Sequence, residues 1–188
     1  MNTEHLELCA SERWAGHLAG ELVPWALGDA PPAARLLEAG PGPGAATDVL
    51  RHHTARLTAL EFDPDLAARL AGRFATDPVV DVVRGDAAAL PFPAGTFDGV
   101  VAFTMLHHLP SAAAQDRAFA EFARVLAPGG TFRGTDSLDS PGLRRLHEGD
   151  VLVPLDPLTL GARLRAAGFT DVEVEVLAVG VRFRATRG

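Results

Sequence analysis

The chain lacks three residue types altogether. Its 188 residues contain no lysine, no isoleucine and no tyrosine, and asparagine occurs only at position 2. These four residue types use A/T-rich codons, whereas alanine, glycine, proline and arginine are abundant. The composition is therefore typical of a GC-rich bacterial genome, and we attach no functional meaning to the all-arginine set of basic side chains.

Cysteine and long apolar segments are also scarce. Cys9 is the only cysteine, so an internal disulfide is excluded and a reducing cytoplasm is the expected location. The first ten residues carry acidic side chains and no apolar segment, which is not the pattern of a signal peptide. No uninterrupted apolar segment reaches the ~20 residues that cross a bilayer. We therefore expect a cytoplasmic protein without a membrane partner.

Positive charge is in deficit. Seventeen basic side chains face 24 acidic ones, which gives a net charge of −7. Nucleic-acid-binding proteins present a basic surface, so this balance predicts no nucleic-acid partner. With 188 residues and 47% hydrophobic content, the chain is long enough for one globular domain with a sizeable core. We expect a single domain over residues 1–188, while the oligomeric state stays open.

What the chain does contain is an alternation of strand and helix patterns. Short apolar runs predict strands, and apolar residues three and four apart predict helices. Ser11, Asp63, Ser111 and Asp156 are predicted N-caps. The predicted strands are 35–39, 56–61, 79–84, 97–103, 131–136, 171–177 and 180–186. The predicted helices are 11–27, 45–53, one beginning after Asp63, one from Ser111 to the stop at Pro128-Gly129-Gly130, and one beginning after Asp156.

This order predicts an α/β protein with a mostly parallel sheet covered by helices. Only two residues separate the last two strands, which predicts a terminal antiparallel hairpin. In such sheets a ligand binds at the carboxyl ends of the strands, near the point where the strand order reverses. The sequence contains no internal repeat and no sign of a second domain.

A glycine-rich segment ends the first predicted strand. Residues 36–44 are Leu-Leu-Glu-Ala-Gly-Pro-Gly-Pro-Gly, an apolar run and an acid followed by alternating glycines. Glycine lets a ligand approach the backbone where a Cβ would block it. Backbone N–H groups and the N-terminus of the next helix are then expected to face a negatively charged group. The segment predicts a site for a small-molecule cofactor.

The first half of the chain leaves the identity of that cofactor open. Gly40, Gly42 and Ala45 also match the G-x-G-x-x-G/A fingerprint of dinucleotide-binding proteins. Glu61 ends the second strand, where a carboxylate accepts hydrogen bonds from the ribose hydroxyls of NAD or of S-adenosylmethionine. A glycine-rich turn followed by an unrelated acid is the third interpretation.

Motifs in the second half separate these possibilities. Gly85-Asp86-Ala87 follows the third strand, where a carboxylate can accept a hydrogen bond from an adenine amino group. The segments 90–98 and 124–130 precede the fourth and fifth strands. With these motifs in this order, the chain from about Leu36 to Gly130 resembles the class I S-adenosylmethionine-dependent methyltransferases. It is most similar to the small-molecule branch that includes ubiquinone-type and natural-product methyltransferases.

The resemblance implies a fold and a cofactor. The fold is Rossmann-like, with a seven-stranded sheet of order 3-2-1-4-5-7-6, the last strand antiparallel and helices on both faces. The cofactor is S-adenosylmethionine, the product S-adenosylhomocysteine, and the acceptor a small molecule. In the glycine loop, Gly40, Gly42 and Gly44 would bracket the methionine part of the cofactor. Glu38, where the family more commonly has aspartate, would brace that loop.

The resemblance places the adenosine part of the cofactor against the later strands. Glu61 would hold the ribose hydroxyls, and Phe62 would pack on the adenine. Asp86 and Ala87 would contact the edge of the adenine ring, and Phe103 would border the same site.

The acceptor is expected beyond the fourth strand, in the segment 103–110. Paired histidines occur at this place in the family, and in some O-methyltransferases one of them acts as a base. His107 and His108 are therefore candidate general bases, with His107 slightly favoured, and Asp136 at the end of the fifth strand would orient one of them. A turn-capping role for the pair stays open.

The remaining segments complete the predicted organisation. Residues 1–34 form an N-terminal helical region, 35–136 the cofactor-binding core, 137–156 an acceptor-side loop, and 157–188 a helix with the terminal hairpin. The short acceptor-side loop predicts a small acceptor. His147 shows no metal-ligand spacing with cysteine or acids, and His5 is expected at the surface or in packing, so no metal site is predicted.

Three functions follow from these patterns. The first is in-line methyl transfer to oxygen, nitrogen or carbon of a small molecule. The second is S-adenosylmethionine binding without catalysis. The third is a nicotinamide-dependent oxidoreductase, which is disfavoured because the chain is short and, without tyrosine or lysine, lacks the Tyr-x-x-x-Lys pair of short-chain dehydrogenases.

Overall fold

The fold is that of a computed structural model, which describes residues 2–28 and 33–188. The strands are β1 (Arg35–Ala39), β2 (Arg56–Glu61), β3 (Val80–Arg84), β4 (Phe97–Phe103), β5 (Leu126–Ser137), β6 (Phe169–Val176) and β7 (Gly180–Arg187). The α-helices are α1 (Thr3–Cys9), α2 (Glu12–His17), α3 (Val23–Leu27), α4 (Ala45–Leu50), α5 (Pro64–Arg73), α6 (Ala112–Val125), α7 (Pro141–Leu146) and α8 (Pro157–Ala166). A π-helical turn, Leu18–Leu22, joins α2 to α3, and a 3₁₀ turn, Leu106–His108, follows β4. Within the described ranges no helix has the length and apolar character needed to cross a bilayer.

All seven strands belong to one sheet of order β3-β2-β1-β4-β5-β7-β6. The first five strands pair in parallel, and β7 runs antiparallel to both β5 and β6. The predicted α/β class, strand order and antiparallel last strand are confirmed. The order reverses between β1 and β4, so the loops that follow these two strands open a crevice at the carboxyl edge of the sheet.

Helices cover both faces of the sheet because successive strand residues point to opposite sides. On β1, Leu36 packs with the core formed by the π-helical turn, α3, α4 and α5, whereas Leu37 packs with the core formed by α6 and α8. Both cores are continuous layers of buried apolar side chains. The sheet is therefore rigid at the edge where the crevice lies.

Side-chain caps set the helix starts where the sequence predicts them. The Asp63 carboxylate accepts the backbone N–H groups of Asp65 and Leu66 at 2.9 and 3.0 Å. The Ser111 hydroxyl accepts the N–H of Ala114 at 3.1 Å, and Ser11 and Asp156 cap α2 and α8 in the same way. Such caps satisfy N–H groups that have no partner inside the helix.

Two helices were not predicted individually: one lies in the N-terminal helical region ahead of the predicted helix 11–27, and the other in the predicted acceptor-side loop. The first, α1, is capped by Asn2, whose side chain accepts the N–H of His5 at 2.9 Å. The second, α7, lies inside the predicted acceptor-side loop and begins with a Ser140 cap followed by a proline at the first helical position. Both helices are too short to show an apolar periodicity, so only their caps were available as signals.

Several element ends also differ from the prediction. The helix α4 ends at Leu50 instead of His53, and β6 begins two residues early, at Phe169. The helix α6 ends at Val125 because Leu126 already pairs with Phe97 of β4. The predicted stop 128–130 therefore lies within the long strand β5. Residues 29–32 of the predicted connector lie outside the described residues.

The ring of Phe132, fully buried on β5, organises the larger of the two cores. Its centroid lies 6.2, 4.9, 5.6 and 5.1 Å from those of Phe119, Phe122, Phe169 and Phe183. We expect Phe132→Ala to lower the free energy of unfolding by about 3–5 kcal/mol, because it removes these contacts and leaves a cavity. Chemical denaturation measures the change.

The matched control is Leu158→Ala on α8, whose side chain is 92% exposed. An exposed substitution of this kind changes the unfolding free energy by less than about 0.5 kcal/mol. Equal losses in the two variants would contradict the assignment of Phe132 to the core.

Candidate active site

A cavity of about 430 Å³ lies at the carboxyl ends of β1, β2, β3 and β4. Its walls come from the segments that follow these strands, from the N-terminal helical region and from residues Asp150 and Val151. The volume is within the range of small-molecule sites in proteins. The position is the crevice that the strand order predicts.

The glycine loop after β1 borders this cavity. Gly40 and Gly42 have φ values of +68° and +53°, which side chains other than glycine rarely adopt. A Cβ added at Gly40 would lie 2.7 Å from the Cβ of Met105. Gly44, at φ +86°, lies behind the loop, where a Cβ would collide with Leu70. The first two glycines therefore shape the cavity, and the third permits close helix packing.

The N–H groups of the three loop glycines are already used within the protein. Gly40 donates to the carbonyl of Leu60, Gly42 to the Glu61 carboxylate and Gly44 to the carbonyl of Pro41, each at 2.9 Å. The two prolines of the loop have no N–H to offer. The expected row of loop N–H groups facing an anion is therefore wrong for this conformation. The N–H groups in the first turn of α4 have no acceptor inside the helix, so they are the backbone donors left to meet an anion.

Glu61 joins the end of β2 to the glycine loop. Its Oε2 accepts the N–H of Gly42 and its Oε1 accepts the N–H of Asp63, both at 2.9 Å. Each carboxylate oxygen has two acceptor positions, so both oxygens can still accept a hydrogen bond from a hydroxyl group in the cavity. Glu61 therefore braces the loop, a role that the sequence analysis gave to Glu38.

Glu38 lies deeper, at 2% exposure near the end of β1. Its carboxyl accepts a hydrogen bond from the Thr47 hydroxyl at 2.7 Å, which links β1 to α4. Burial raises the pKa of Glu38 to about 7, and the Thr47 hydrogen bond opposes that rise. The side chain also borders the cavity.

The residues predicted to contact adenosine lie together on the cavity wall. Phe62 is 71% exposed at the rim of the cavity. Ala87 and Phe103 also line the cavity but are buried. Asp86 is exposed there, and its Oδ1 accepts the N–H of Ala88 at 2.8 Å. An exposed aromatic ring and an exposed carboxylate on the same cavity wall suit a flat, polar-edged ring such as adenine.

The two candidate bases differ in their surroundings. His107 is 1% exposed and does not border the cavity, whereas His108 does. Nδ1 of His107 lies 2.5 Å from Oδ1 of Asp136, whose carboxylate also accepts the N–H groups of Leu106, His107 and Ser137. Asp136 thus contacts His107 and not His108. The slight preference for His107 as the base finds no support in its position, because its ring is separated from the cavity.

Two further histidines complete a cluster with this pair. Nε2 of His147 lies 3.0 Å from Nε2 of His107, and the His5 ring centroid lies 4.3 Å from that of His147. One ring nitrogen from each of the four residues lies within 4.8 Å of the others. The sequence analysis missed this cluster because its members come from α1, the turn after β4 and the end of α7, which no spacing rule connects.

Burial and repulsion between the rings disfavour the charged forms of His5, His108 and His147. The pKa of His5 is lowered to about 4 and that of His108 to about 2, in both cases chiefly because burial disfavours the charged ring. The pKa of His147 is lowered for the same reason. Each ring also repels a charge on its neighbours.

The N-terminal helical region forms part of the cavity wall. Trp14 and Leu18 border the cavity, as does His5 of α1. The Asn2 side chain donates to the carbonyls of Leu146 and Glu148 at 2.8 and 3.2 Å. These contacts hold α1 against the segment after α7, over more than 140 positions of sequence.

Comparison with known proteins decides the family. Residues 37–133 match a family model described as a methyltransferase domain. The chain belongs to the methyltransferase domain family. The match spans the glycine loop, Glu61, Asp86 and the histidine pair, and the family predicted from the sequence is confirmed.

Curated relatives of this methyltransferase domain include proteins with different names. A probable S-adenosylmethionine-dependent methyltransferase of Mycolicibacterium smegmatis is 36% identical over 97 residues, which are 52% of this chain and 35% of the relative. A ribosomal RNA small subunit methyltransferase A of Geobacter metallireducens is 47% identical over 58 residues, which are 31% of this chain and 21% of the relative. The chain thus spans about a third of the length of the Mycolicibacterium relative and about a fifth of the length of the Geobacter relative.

Solved structures share the fold of this methyltransferase domain. The N-methyltransferase NodS from Bradyrhizobium japonicum, solved with S-adenosyl-L-homocysteine, superposes with a TM-score of 0.75. It is 22% identical, and the superposition covers 99% of this chain and 93% of that one. The Rossmann-like architecture is confirmed, and S-adenosylmethionine, the cofactor predicted from the sequence, is the one in the name of the Mycolicibacterium relative.

The buried carboxyl of Glu38 predicts a stability change with pH. The pKa of Glu38 is about 7 in the folded chain, compared with the ordinary value of 4.5 for an exposed glutamate. The folded state therefore holds the carboxyl proton more tightly than the unfolded state does. Stability from this group is thus lost as pH rises through that interval. We expect Glu38→Gln, which keeps the shape without the charge, to raise the unfolding free energy at pH 8 by up to about 3 kcal/mol. Urea denaturation measures it.

The gain from Glu38→Gln is expected to shrink below about 1 kcal/mol at pH 5, where the wild-type carboxyl is already protonated when folded. Glu7→Gln, on the exposed surface of α1, is the control and is expected to change little at either pH. An equal gain at both pH values would contradict a raised pKa at Glu38.

Proposed function

We propose that this chain is an S-adenosylmethionine-dependent methyltransferase that acts on a small-molecule acceptor. The observation that carries the proposal is one continuous cavity. It joins Gly40, Gly42, Glu61 and Asp86 at one end to His108 and the N-terminal helical region at the other. A cofactor and an acceptor can therefore meet in a single cavity.

The residues at the cofactor end fit the proposed cofactor. Gly40 and Gly42 border the cavity with positive φ angles, a Cβ at Gly40 would collide with Met105, and Glu61 retains acceptor positions for two ribose hydroxyls. Phe62 and Asp86 provide a stacking surface and a polar edge contact for adenine. The carboxylate of the amino-acid part would meet the N-terminal turn of α4, where unpaired N–H groups favour negative charge.

The acceptor end supports a small substrate. Trp14, Leu18 and Met105 give it an apolar lining, and Asp150 and His108 provide polar groups. The contacts of Asn2 with the segment after α7 hold α1 across this end. A mostly apolar cavity of about 430 Å³, shared with the cofactor, favours a small molecule over a folded macromolecule.

Alignment is the main contribution we assign to the protein. When bound, S-adenosylmethionine supplies a methyl group that is already activated by its sulfonium charge. The cavity walls then hold the acceptor in line and exclude water, and such positioning contributes several kcal/mol to catalysis. In-line displacement of this kind needs a base only for acceptors whose proton has a high pKa.

The surroundings of the two histidines argue against a strong histidine base for that step. Nδ1 of His107 is directed at Asp136 and its Nε2 at His147, so neither nitrogen reaches the cavity. His108 does border the cavity, but with its pKa lowered to about 2 it holds a transferred proton weakly. We therefore propose Asp136 as a positioning residue for His107, and methyl transfer without a strong histidine base.

Methyl transfer itself provides the test. The purified chain is incubated with methyl-labelled S-adenosylmethionine and a panel of small phenols, amines and carbon acids, with ribosomal RNA in a parallel reaction. Label in a small molecule supports the proposal. Label in RNA alone would contradict a small-molecule acceptor. RNA is included because the Geobacter relative is named as a ribosomal RNA methyltransferase. Tight cofactor binding without transfer to any acceptor would favour the binding-protein alternative.

Glu61 is expected to account for a large part of the cofactor affinity. We expect Glu61→Ala to weaken binding of S-adenosylmethionine by about 10- to 100-fold, since it removes charge-assisted hydrogen bonds to the ribose and releases Gly42. Isothermal titration calorimetry measures the change.

The matched control for that experiment is Asp81→Ala, an exposed acid near the amino end of β3 and away from the cavity. It is expected to keep the wild-type affinity. Equal affinities for the two variants, with circular dichroism showing both folded, would remove Glu61 from the cofactor site.

A further inference from the structure

The hydrogen bonds around His107 and His147 fix where their ring protons lie. A carbonyl oxygen only accepts, so Nδ1 of His147, 2.8 Å from the carbonyl of Leu143, carries the hydrogen. Oδ1 of Asp136 already accepts the N–H of Ser137, so Nδ1 of His107 is the donor to it at 2.5 Å. In a neutral imidazole the other nitrogen then has the lone pair.

Two lone pairs consequently face each other inside the protein. Nε2 of His107 and Nε2 of His147 are 3.0 Å apart, and each is an acceptor without a hydrogen. Such a contact is stable only with a positively charged species between or beside the two nitrogens. A proton there would convert one ring to an imidazolium with Asp136 as its counter-charge, whereas a metal ion would bind both lone pairs at once.

His5 supplies a second and independent observation. Its ring is 95% buried, as its 5% exposure shows, and Nδ1 is completely buried without a hydrogen-bond partner. Buried ring nitrogens of this kind cost free energy unless something satisfies them. The unsatisfied nitrogen belongs to the same group of four rings.

We propose that His5, His107, His108 and His147 bind one divalent transition-metal ion, with Zn²⁺ as the best match. Imidazole nitrogens suit Zn²⁺, and four of them make a tetrahedral set. At Zn–N distances of about 2.0–2.1 Å, tetrahedral ligand atoms lie about 3.3 Å apart. The His107–His147 separation of 3.0 Å is close to this value, and the other nitrogens lie within 4.8 Å. Small ring rotations bring all four to one ion.

The partners of the ligands match those of known zinc sites. A metal-bound histidine usually donates its second ring N–H to a carboxylate or a backbone carbonyl. His107 donates to Asp136 and His147 donates to the carbonyl of Leu143. Asp136, and Asp150 whose charge acts on His5 and His147, supply negative charge against the 2+ ion.

The ion would join three distant segments beside the acceptor end of the cavity. His5 lies on α1, His107 and His108 in the turn after β4, and His147 at the end of α7. His5 and His108 border the cavity, which provides an entry path for the ion. Binding would stabilise the closed position of α1, since it favours the arrangement that brings the ligands together.

Direct metal binding tests the proposal on the full chain. The protein is stripped with a chelator and titrated with Zn²⁺ by calorimetry, and bound metal is counted by elemental analysis. We expect one Zn²⁺ per chain. Titration with Co²⁺ is expected to give the intense visible absorption of a tetrahedral site. Both measurements are made without S-adenosylmethionine, so their outcome is separate from that of the proposed function.

Variants then locate the ion. We expect His147→Ala to weaken Zn²⁺ binding at least 100-fold, and Asp136→Asn, which leaves all four ligands in place, to weaken it about 10- to 100-fold. The double variant His52→Ala/His53→Ala, outside the cluster, is expected to bind like the wild type. Circular dichroism of each stripped variant checks that it is folded.

Three results would overturn the proposal. The first is a folded wild-type chain that binds no Zn²⁺, which would leave a proton as the bridge between His107 and His147. The second is Co²⁺ bound without a tetrahedral spectrum. The third is loss of Zn²⁺ binding in the His52/His53 variant with no loss in His147→Ala.

Discussion

The hydrogen bond from the Gly42 N–H to the Glu61 carboxylate is the interaction on which the site depends. It ties the loop after β1 to the end of β2, so two neighbouring strands present one rigid surface. The positive φ values of Gly40 and Gly42 are compatible with that bond and leave the cavity open above the loop. Because this carboxylate braces the loop and also borders the cavity, the cofactor binding that we propose at Glu61 would be coupled to loop conformation.

Much of the fold was predictable because its signals are local. Caps at Asp63 and Ser111 fix helix starts, and short apolar runs fix β1, β2 and β4 within a residue. The motifs after each strand lie at the same edge because parallel strands all end there. Glu61, Asp86 and the glycines that border this edge of the cavity were therefore found from the sequence, and their contact with a cofactor stays a prediction.

The acceptor end was much less predictable, since its parts are far apart in sequence. Nothing local indicates that Asn2 contacts Leu146, or that His5 meets His147. The helices α1 and α7 are too short for periodicity to reveal them. The paired histidines were found as a motif, but only the tertiary structure separates buried His107 from cavity-lining His108. Long-range packing, and not motif chemistry, decides which of them meets a ligand.

The two ends of the cavity differ in physical character as well. The cofactor end is built from strand termini and a braced loop, whereas the acceptor end is built from short helices held by side-chain contacts. Elements of the second kind open at low free-energy cost, which suits exchange of acceptor and product. Specificity for the acceptor is thus expected to lie in the N-terminal helical region and the segment after α7.

A crystal structure of the chain with S-adenosylhomocysteine tests the central claim most directly. The account predicts the ribose hydroxyls within hydrogen-bond distance of Glu61 and the adenine between Phe62 and Ala87. It also predicts the sulfur atom directed toward the end of the cavity that His108 borders. A ligand bound elsewhere, or one in this cavity without contact to Glu61, would contradict it.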